Sequence, residues 1–211
     1  MSAVTDSTIV VRAPDIPIPG PLSELKTITV DLESVKPDLK SKLTYPKRVV
    51  VAGPDVLLAG VLARLMAAER LDVEVGFVPV DGSRAAAVYV PGDPLTGTPR
   101  SVPLIRDDRG AVLVGQAKIT GPDGGPITGE TFVDSEKLFT GKAKAVLVQT
   151  TGEEPGVRAR VKEPLKRRWL SGRAAQTGGL ELVVTRDGRT DPAVLTRATF
   201  YRHTDDWILI S

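Results

Sequence analysis

The segment from Lys47 to Ser83 constrains the fold of this chain more than any other part of the sequence. It begins with the apolar run VVVA, which is typical of a strand buried on both faces of a parallel sheet. A stretch with apolar residues at helical spacing follows, and Pro54 suits its first turn. The run DVEVGFVPV then predicts a second strand. Together these elements predict a βαβ unit with a right-handed parallel crossover.

The rest of the chain divides into two parts that differ in composition and in predicted secondary structure. Residues 1–46 are rich in proline, and STIVVRA and LKTITVDL predict short edge strands around the irregular APDIPIPGP. Residues 100–211 hold seven or eight short β-rich runs separated by turn clusters such as GPDGGP. At most one short helix is expected there, near EPLKRRWLSGRAAQ.

The predicted fold class is therefore α/β plus all-β. A small Rossmann-like parallel βαβ part covers residues 47–99, and an antiparallel β-sandwich-like domain covers residues 100–211. The proline-rich segment 1–46 precedes both.

Composition excludes several kinds of site. The 211 residues include no cysteine, which rules out disulfides, thiolate metal sites and a cysteine nucleophile. The single histidine, His203, cannot form a two-histidine zinc site, and its strand-like flanks favour a partly exposed side chain over a catalytic triad. The acidic residues in turns lack metal-loop spacing; they are Asp107, Asp108, Asp123, Asp134, Glu153 and Glu154. We expect no metal site, no cofactor and no catalytic residue.

The overall charge points to no nucleic-acid partner. There are 28 basic and 26 acidic side chains, a nearly balanced set. The N-terminus lacks the pattern of a secretory signal, and no apolar run reaches the roughly 20 residues that a membrane-spanning helix needs. We expect a soluble cytoplasmic protein, with a homodimer as one candidate oligomeric state.

One dense basic run, VRARVKEPLKRRW, leaves two interpretations open. On a single face, its cations would form an anion patch for a phosphate, a small anionic molecule or an anionic lipid headgroup. A charge run is more often a solvated face, and the adjacent Trp169 is more often packed than an interfacial anchor. The cations of the predicted anion patch are Arg158, Arg160, Lys166, Arg167 and Arg168.

The order of these parts resembles the diacylglycerol kinase and lipid kinase family, which is related in fold to NAD kinases. Family members carry GGDGT between a strand and a helix, and that motif falls on GPDVL, residues 53–57. A second motif, of the type P-x-G-T-x-N-D, falls on GFVPVDGSRAA with a one-residue offset after Pro79. The late VTRDG resembles a strand ending in Asp-Gly-Glu, with Arg189 in place of the Glu. The resemblance implies cofactor-binding positions at Gly53, Asp55, Gly82 and Ser83.

The departures from these motifs decide the predicted function. Pro54 has no amide hydrogen for a phosphate, and Val56 and Leu57 stand where the family has glycine and a threonine hydroxyl. The Asn-Asp pair of the second motif is absent as well. We therefore expect a degenerate, non-catalytic member that binds a small anionic ligand or lipid headgroup, or acts as a scaffold.

Two alternatives remain. One is an active lipid or small-molecule kinase with Asp55 near the metal and Asp134 or Asp187 as the base. The other is a protein-interaction module that uses the proline-rich segment or a sheet edge.

Overall fold

The computed structural model describes residues 7–43, 46–163 and 168–211 of the chain. The chain divides into two compact units, Met1–Val102 with Asp205–Ser211, and Pro103–Thr204. Before the chain enters the second unit it forms β1 Thr8–Arg12, α1 Gly20–Ser23, β2 Lys26–Thr29, α2 Val35–Lys42, β3 Arg48–Gly53, α3 Asp55–Ala67, β4 Glu74–Pro79, α4 Arg84–Tyr89 and β5 Pro99–Val102.

The second unit consists almost entirely of strands. In chain order they are β6 Ile105–Asp107, β7 Val112–Leu113, β8 Gln116–Thr120, β9 Ile127–Val133, β10 Glu136–Ala143, β11 Val146–Thr150, β12 Val157–Val161, β13 Leu170–Gly172, β14 Ala174–Arg186, β15 Arg189–Thr190 and β16 Leu195–Arg202. The chain then returns to the first unit and forms β17, Trp207–Ile210.

The first unit is built on a mostly parallel sheet. Among the described residues it has six strands, in the order β2-β1-β3-β4-β17-β5. All six residues of β3 are buried, as expected of a strand covered on both faces. Strands β3 and β4 pair in parallel, with Val49 opposite Val75, and α3 connects them. This confirms the predicted βαβ unit.

The N-terminal segment contributes more than edge strands. Strand β2 lies at the sheet edge, but β1 lies between β2 and β3, with Val10 and Val11 fully buried. The proline-rich segment 1–46 also contains the helix α2. Pro37 is the third residue of that helix, where a missing amide hydrogen leaves no intrahelical bond unmade.

The sheet of the second unit is antiparallel, as predicted. In the part of the chain that the structure describes it has eleven strands, including the path β13-β12-β11-β8-β14-β16-β6-β7. The long strand β14 pairs with β9 and β16 in its first half and with β8 in its second. Three residues of β14, Ala175, Leu182 and Val184, belong to a buried cluster that also includes Ile119, Val148 and Phe200.

The described part of EPLKRRWLSGRAAQ, the segment for which we expect at most one short helix, forms strands instead of a helix. Residues 170–172 and 174–186 are strands, and residues 164–167 lie outside the described ranges. The alanines there favour a helix locally, but pairing of Ala174 with Tyr201 and of Ala175 with Val133 and Phe200 favours the sheet. A single 3-10 turn occurs among the described residues of this unit, at Pro122–Gly124.

No helix within the described ranges has both the length and the apolar composition needed to cross a bilayer.

Candidate functional site

The carboxyl edge of the parallel sheet is the first candidate for a binding site. The strand order reverses between β1 and β3, and open α/β sheets bind ligands at such a switch point. Gly53 ends β3 there with φ +153, a conformation that favours glycine. A Cβ on Gly53 would lie 3.1 Å from Leu57 Cδ2 and 3.3 Å from Ala13 Cβ. The loops after β1 and β3 are thus in close contact at the switch point.

Asp55 and Ser83, two of the predicted binding positions, are joined directly. The Ser83 hydroxyl donates to one carboxylate oxygen of Asp55 at 2.5 Å. The other oxygen accepts the N–H groups of Arg84 at 2.9 Å and Ala85 at 3.2 Å. Ser83 Oγ in turn accepts the N–H of Ala86 at 2.9 Å, so that Ser83 caps α4. Asp55 therefore connects the start of α3 to the start of α4.

Gly82 shapes the turn that presents Ser83. Its φ of +79 is left-handed, and a Cβ there would meet open space. The N–H of Ser83 donates to the carbonyl of Val80 at 3.2 Å and closes the turn. Gly82 is exposed, whereas Gly53 is buried.

The turn at the start of α3 carries a proline and two branched apolar residues. Pro54 is the N-cap residue and has no amide hydrogen, and its carbonyl accepts the N–H of Leu57 at 2.9 Å. The side chain of Leu57 is fully buried in the core, and Val56 is half-buried. A phosphate cradle uses free backbone N–H groups and small side chains. Pro54 offers no N–H group, and the side chains of Val56 and Leu57 are branched and apolar.

The two candidate bases of the kinase alternative hold loops in place. The carboxylate of Asp187 accepts the backbone N–H groups of residues 114–116, at 2.9 to 3.0 Å. The carboxylate of Asp134 accepts those of Arg173 at 3.0 Å and Ala174 at 2.9 Å. Both aspartates occupy left-handed turn positions, with φ of +48 and +51. These are structural roles of a kind that aspartate often plays at turns.

The structure describes three of the five cations of the predicted anion patch. Arg158 and Arg160 project from the same side of β12, and their guanidinium carbons lie 4.7 and 5.0 Å from the ring centre of Trp169. Arg168 pairs instead with Glu136, at 2.7 Å. Lys166 and Arg167 lie outside the described residues.

A cavity in the second unit contains the single histidine of the chain. Its volume is about 480 Å³, and His203 lines it with Arg173 and Arg202. We call these three side chains the cationic pocket. The remaining lining residues are Glu154, Pro155 and Thr204. Sequence reasoning missed this site because Arg173 and Arg202 are 29 positions apart and meet only through strand pairing; the adjacent Arg202 and His203 were the only local signal.

An apolar groove of about 470 Å³ lies at the carboxyl end of β4. Prolines and aliphatic side chains dominate its lining, with Phe77 at its base and Val90 exposed to 73%. The carboxylate of Asp93, at its rim, accepts the N–H groups of Leu95 and Thr96 at 2.9 and 2.8 Å. Hydrogen bonds from Thr96, and next from Leu95, hold the pKa of Asp93 below its ordinary value.

Within the described ranges no group of three acidic, histidine or cysteine side chains is placed to hold a metal ion.

The whole chain is similar in structure to two kinds of kinase. A diacylglycerol kinase from Bacillus anthracis str. Sterne superposes with a TM-score of 0.73, covering 97% of this chain and 96% of that one at 9% identity. An NAD kinase from Archaeoglobus fulgidus, in complex with ATP, superposes with a TM-score of 0.60, covering 97% and 93% at 10% identity. At such low identity the similarity establishes the fold.

The sequence itself matches no protein-family model and no curated protein.

Proposed function

We propose that this chain, which has the fold of diacylglycerol kinases and NAD kinases, is a binding or scaffolding protein that does not transfer phosphate from ATP. The observation that carries the proposal is the position of the Asp55 carboxylate. It lies on the N–H groups at the start of α4 and on the Ser83 hydroxyl.

The Asp55 carboxylate takes the place of an anionic ligand at these donors. Free N–H groups at a helix start attract phosphate, but here two of them already bind a negative charge of the protein itself. A triphosphate approaching the same donors would meet a like charge, which costs free energy. Pro54 and the buried Leu57 remove further phosphate contacts at the neighbouring turn.

The active-kinase alternative is less well supported. It requires Asp55 to face a metal ion and Asp134 or Asp187 to accept a proton from a substrate. Each of the three carboxylates accepts at least two hydrogen bonds from the protein. Using Asp55 or Asp187 in catalysis would leave half-buried donors without partners, at about 1–3 kcal/mol each.

The ligand that we propose is a small anion or a lipid headgroup. Cationic side chains support this choice at two places in the second unit, the Arg158–Arg160 pair and the cationic pocket. An interaction-module function remains the second candidate, favoured by the apolar groove beside the exposed Val90.

Thermal unfolding with increasing ATP-Mg tests the proposal. A ligand present at 100 times its Kd stabilises the folded state by roughly 2.7 kcal/mol, so binding would raise the Tm clearly. We expect no rise. A rise that Asp55→Ala abolishes would contradict the proposal and favour the kinase alternative, provided that Asp81→Ala, in the exposed turn of Gly82, leaves it intact.

A further inference from the structure

We propose that the cationic pocket of the second unit is a binding site for a phosphomonoester group. The inference deepens the proposed function, because it names the anion and its site. It uses Arg173, Arg202 and His203, none of which belongs to the turn that replaces the kinase phosphate site.

The strongest argument is that two arginines face each other across the sheet. The N–H of Arg202 donates to the carbonyl of Arg173 at 2.8 Å, which extends the β14–β16 ladder by one residue beyond Ala174 and Tyr201. Both side chains line the same cavity. Like charges directly opposite each other destabilise an antiparallel pair. An anion bound between the two guanidinium groups removes that repulsion.

The backbone of each residue of the cationic pocket is hydrogen-bonded to a neighbouring segment. The N–H of Arg173 donates to the Asp134 carboxylate, and Arg202 is paired with Ile105 of β6. The N–H of His203 donates to the carbonyl of Leu104 at 2.8 Å. Binding therefore requires ordering of side chains alone, which lowers its entropic cost.

A carboxylate of the protein already occupies one part of the pocket. Glu154 accepts a hydrogen bond from Arg202 at 2.6 Å, but 76% of the Glu154 side chain is exposed. The Arg202 side chain is only 17% exposed, so it keeps a need for an anionic partner, while the exposed Glu154 can move into solvent when another anion binds. Glu154 thus marks where an anion binds to Arg202.

The loop that carries Glu154 is packed against the stem of Arg202. A Cβ on Gly156, whose φ is +111, would lie 2.9 Å from Ile105 Cδ1 and 3.5 Å from Arg202 Cβ. The guanidinium of Arg173 has no side-chain or backbone partner within the described part of the chain. Arg173 is exposed and lines the cavity, so its donors remain available to a ligand.

The number and kind of donors favour a phosphomonoester over a carboxylate. Guanidinium groups bind phosphate oxygens in pairs, and the imidazole of His203 and the hydroxyl of Thr204 line the same cavity. A phosphomonoester carries about −1.5 to −2 charges at neutral pH, enough to match two arginines where one carboxylate is not. A cavity of about 480 Å³ leaves room for the group that bears the phosphate.

Calorimetric titration with inorganic phosphate at low salt tests the site. We expect Arg173→Ala to weaken phosphate binding at least about tenfold, the usual effect of losing a charge-assisted contact. Arg173→Lys should retain part of the affinity. Arg202→Met preserves the packed stem and should weaken binding similarly. The matched control is Arg197→Ala, which removes an exposed cation from the same strand opposite Gly178 and should leave the affinity unchanged.

The Glu154→Gln variant distinguishes a binding role of the pocket from a purely structural one. It removes the competing carboxylate, so phosphate affinity should rise severalfold instead of falling. A second arm separates the two sources of the anion: binding to vesicles that carry a phosphomonoester headgroup, compared with phosphatidylcholine vesicles, detects a lipid ligand. Binding of inorganic phosphate without vesicle binding assigns a soluble one.

Three outcomes overturn the inference. They are no phosphate binding by the wild-type protein, equal loss in the Arg173 and Arg197 variants, and weaker binding by Glu154→Gln. None of these concerns ATP. An ATP-Mg shift that depends on Asp55 but not on Arg173 would contradict the proposed function and leave the pocket in place.

Discussion

At the scale of single residues, the most informative side chain is Asp55. Its two oxygens serve Ser83 and the first N–H groups of α4, so a carboxylate in the first turn of one helix caps another. We expect Asp55→Ala to lower the free energy of unfolding by about 1–3 kcal/mol, since it leaves these donors unsatisfied. Asp81→Ala, in the adjacent exposed turn, should change it by less than about 0.5 kcal/mol. Urea unfolding measures both.

We expect Asp191 to make the stability of the second unit depend on pH in the acid range. Burial alone raises its pKa, but the N–H of Ala193 and the guanidinium of Arg109, with Arg186 nearby, outweigh burial and bring the pKa below 3.8. A lowered pKa stabilises the folded state above the unfolded value, and that stability disappears as the pH falls through the folded value.

Unfolding measured at several pH values tests this role. The wild-type protein should be more stable than Asp191→Asn at neutral pH, and the difference should shrink as the pH falls below about 3.8. A difference that stays constant with pH would show that the ionised carboxylate contributes nothing.

At the scale of elements, α3 has a core residue in its first turn. The side chain of Leu57, which falls on the last position of the GGDGT-like motif, is fully buried. Leu57→Thr removes apolar contacts and buries a hydroxyl, so we expect a loss of about 2–5 kcal/mol. The half-buried neighbour Val56, changed to Thr, should cost less than about 1 kcal/mol. Equal losses would mean that Leu57 is not a core residue.

Arg158 and Arg160 of β12 allow the anion-binding role of the predicted anion patch to be tested. Arg158 and Arg160 stack on Trp169, whereas Arg168 is engaged by Glu136. Replacing Arg158 and Arg160 with Ala should weaken salt-sensitive binding to anionic vesicles more than Arg168→Ala does. If the wild-type protein binds no such vesicles at low salt, the face is only solvated.

The pattern of apolar residues along the sequence predicted the elements whose burial follows directly from that pattern. The continuous apolar strand β3 and the helical spacing of α3 identified the βαβ unit, because burial on both faces leaves a visible pattern. Pro37 concealed α2, and the alanines after Gly172 favoured a helix where cross-strand pairing gives β14. The cationic pocket depends on the pairing of Arg173 with Arg202, which no local pattern reveals.

At the scale of the whole molecule, the chain leaves the first unit after β5 and returns to it for β17. That strand lies between β4 and β5, parallel to one and antiparallel to the other. Trp207 is 1% exposed and packs edge-on against Tyr89, with 5.3 Å between ring centres. We expect Trp207→Ala to lower the free energy of unfolding by about 3–5 kcal/mol.

Native-state hydrogen exchange would show which strands lose stability in Trp207→Ala. The amides of β4 and β5 should exchange faster in Trp207→Ala, because both strands pair with β17. Unchanged protection of these two strands would contradict the central role of β17.

The late position of β17 in the chain also bears on synthesis at the ribosome. The first five strands emerge early, yet β4 and β5 lack the strand between them until the whole second unit has been translated. During that interval the backbone edge of β4 is open to pairing with other nascent chains. We therefore expect that slowing translation after Val102 increases aggregation, and that supplying the Trp207–Ile210 strand as a peptide in trans reduces it.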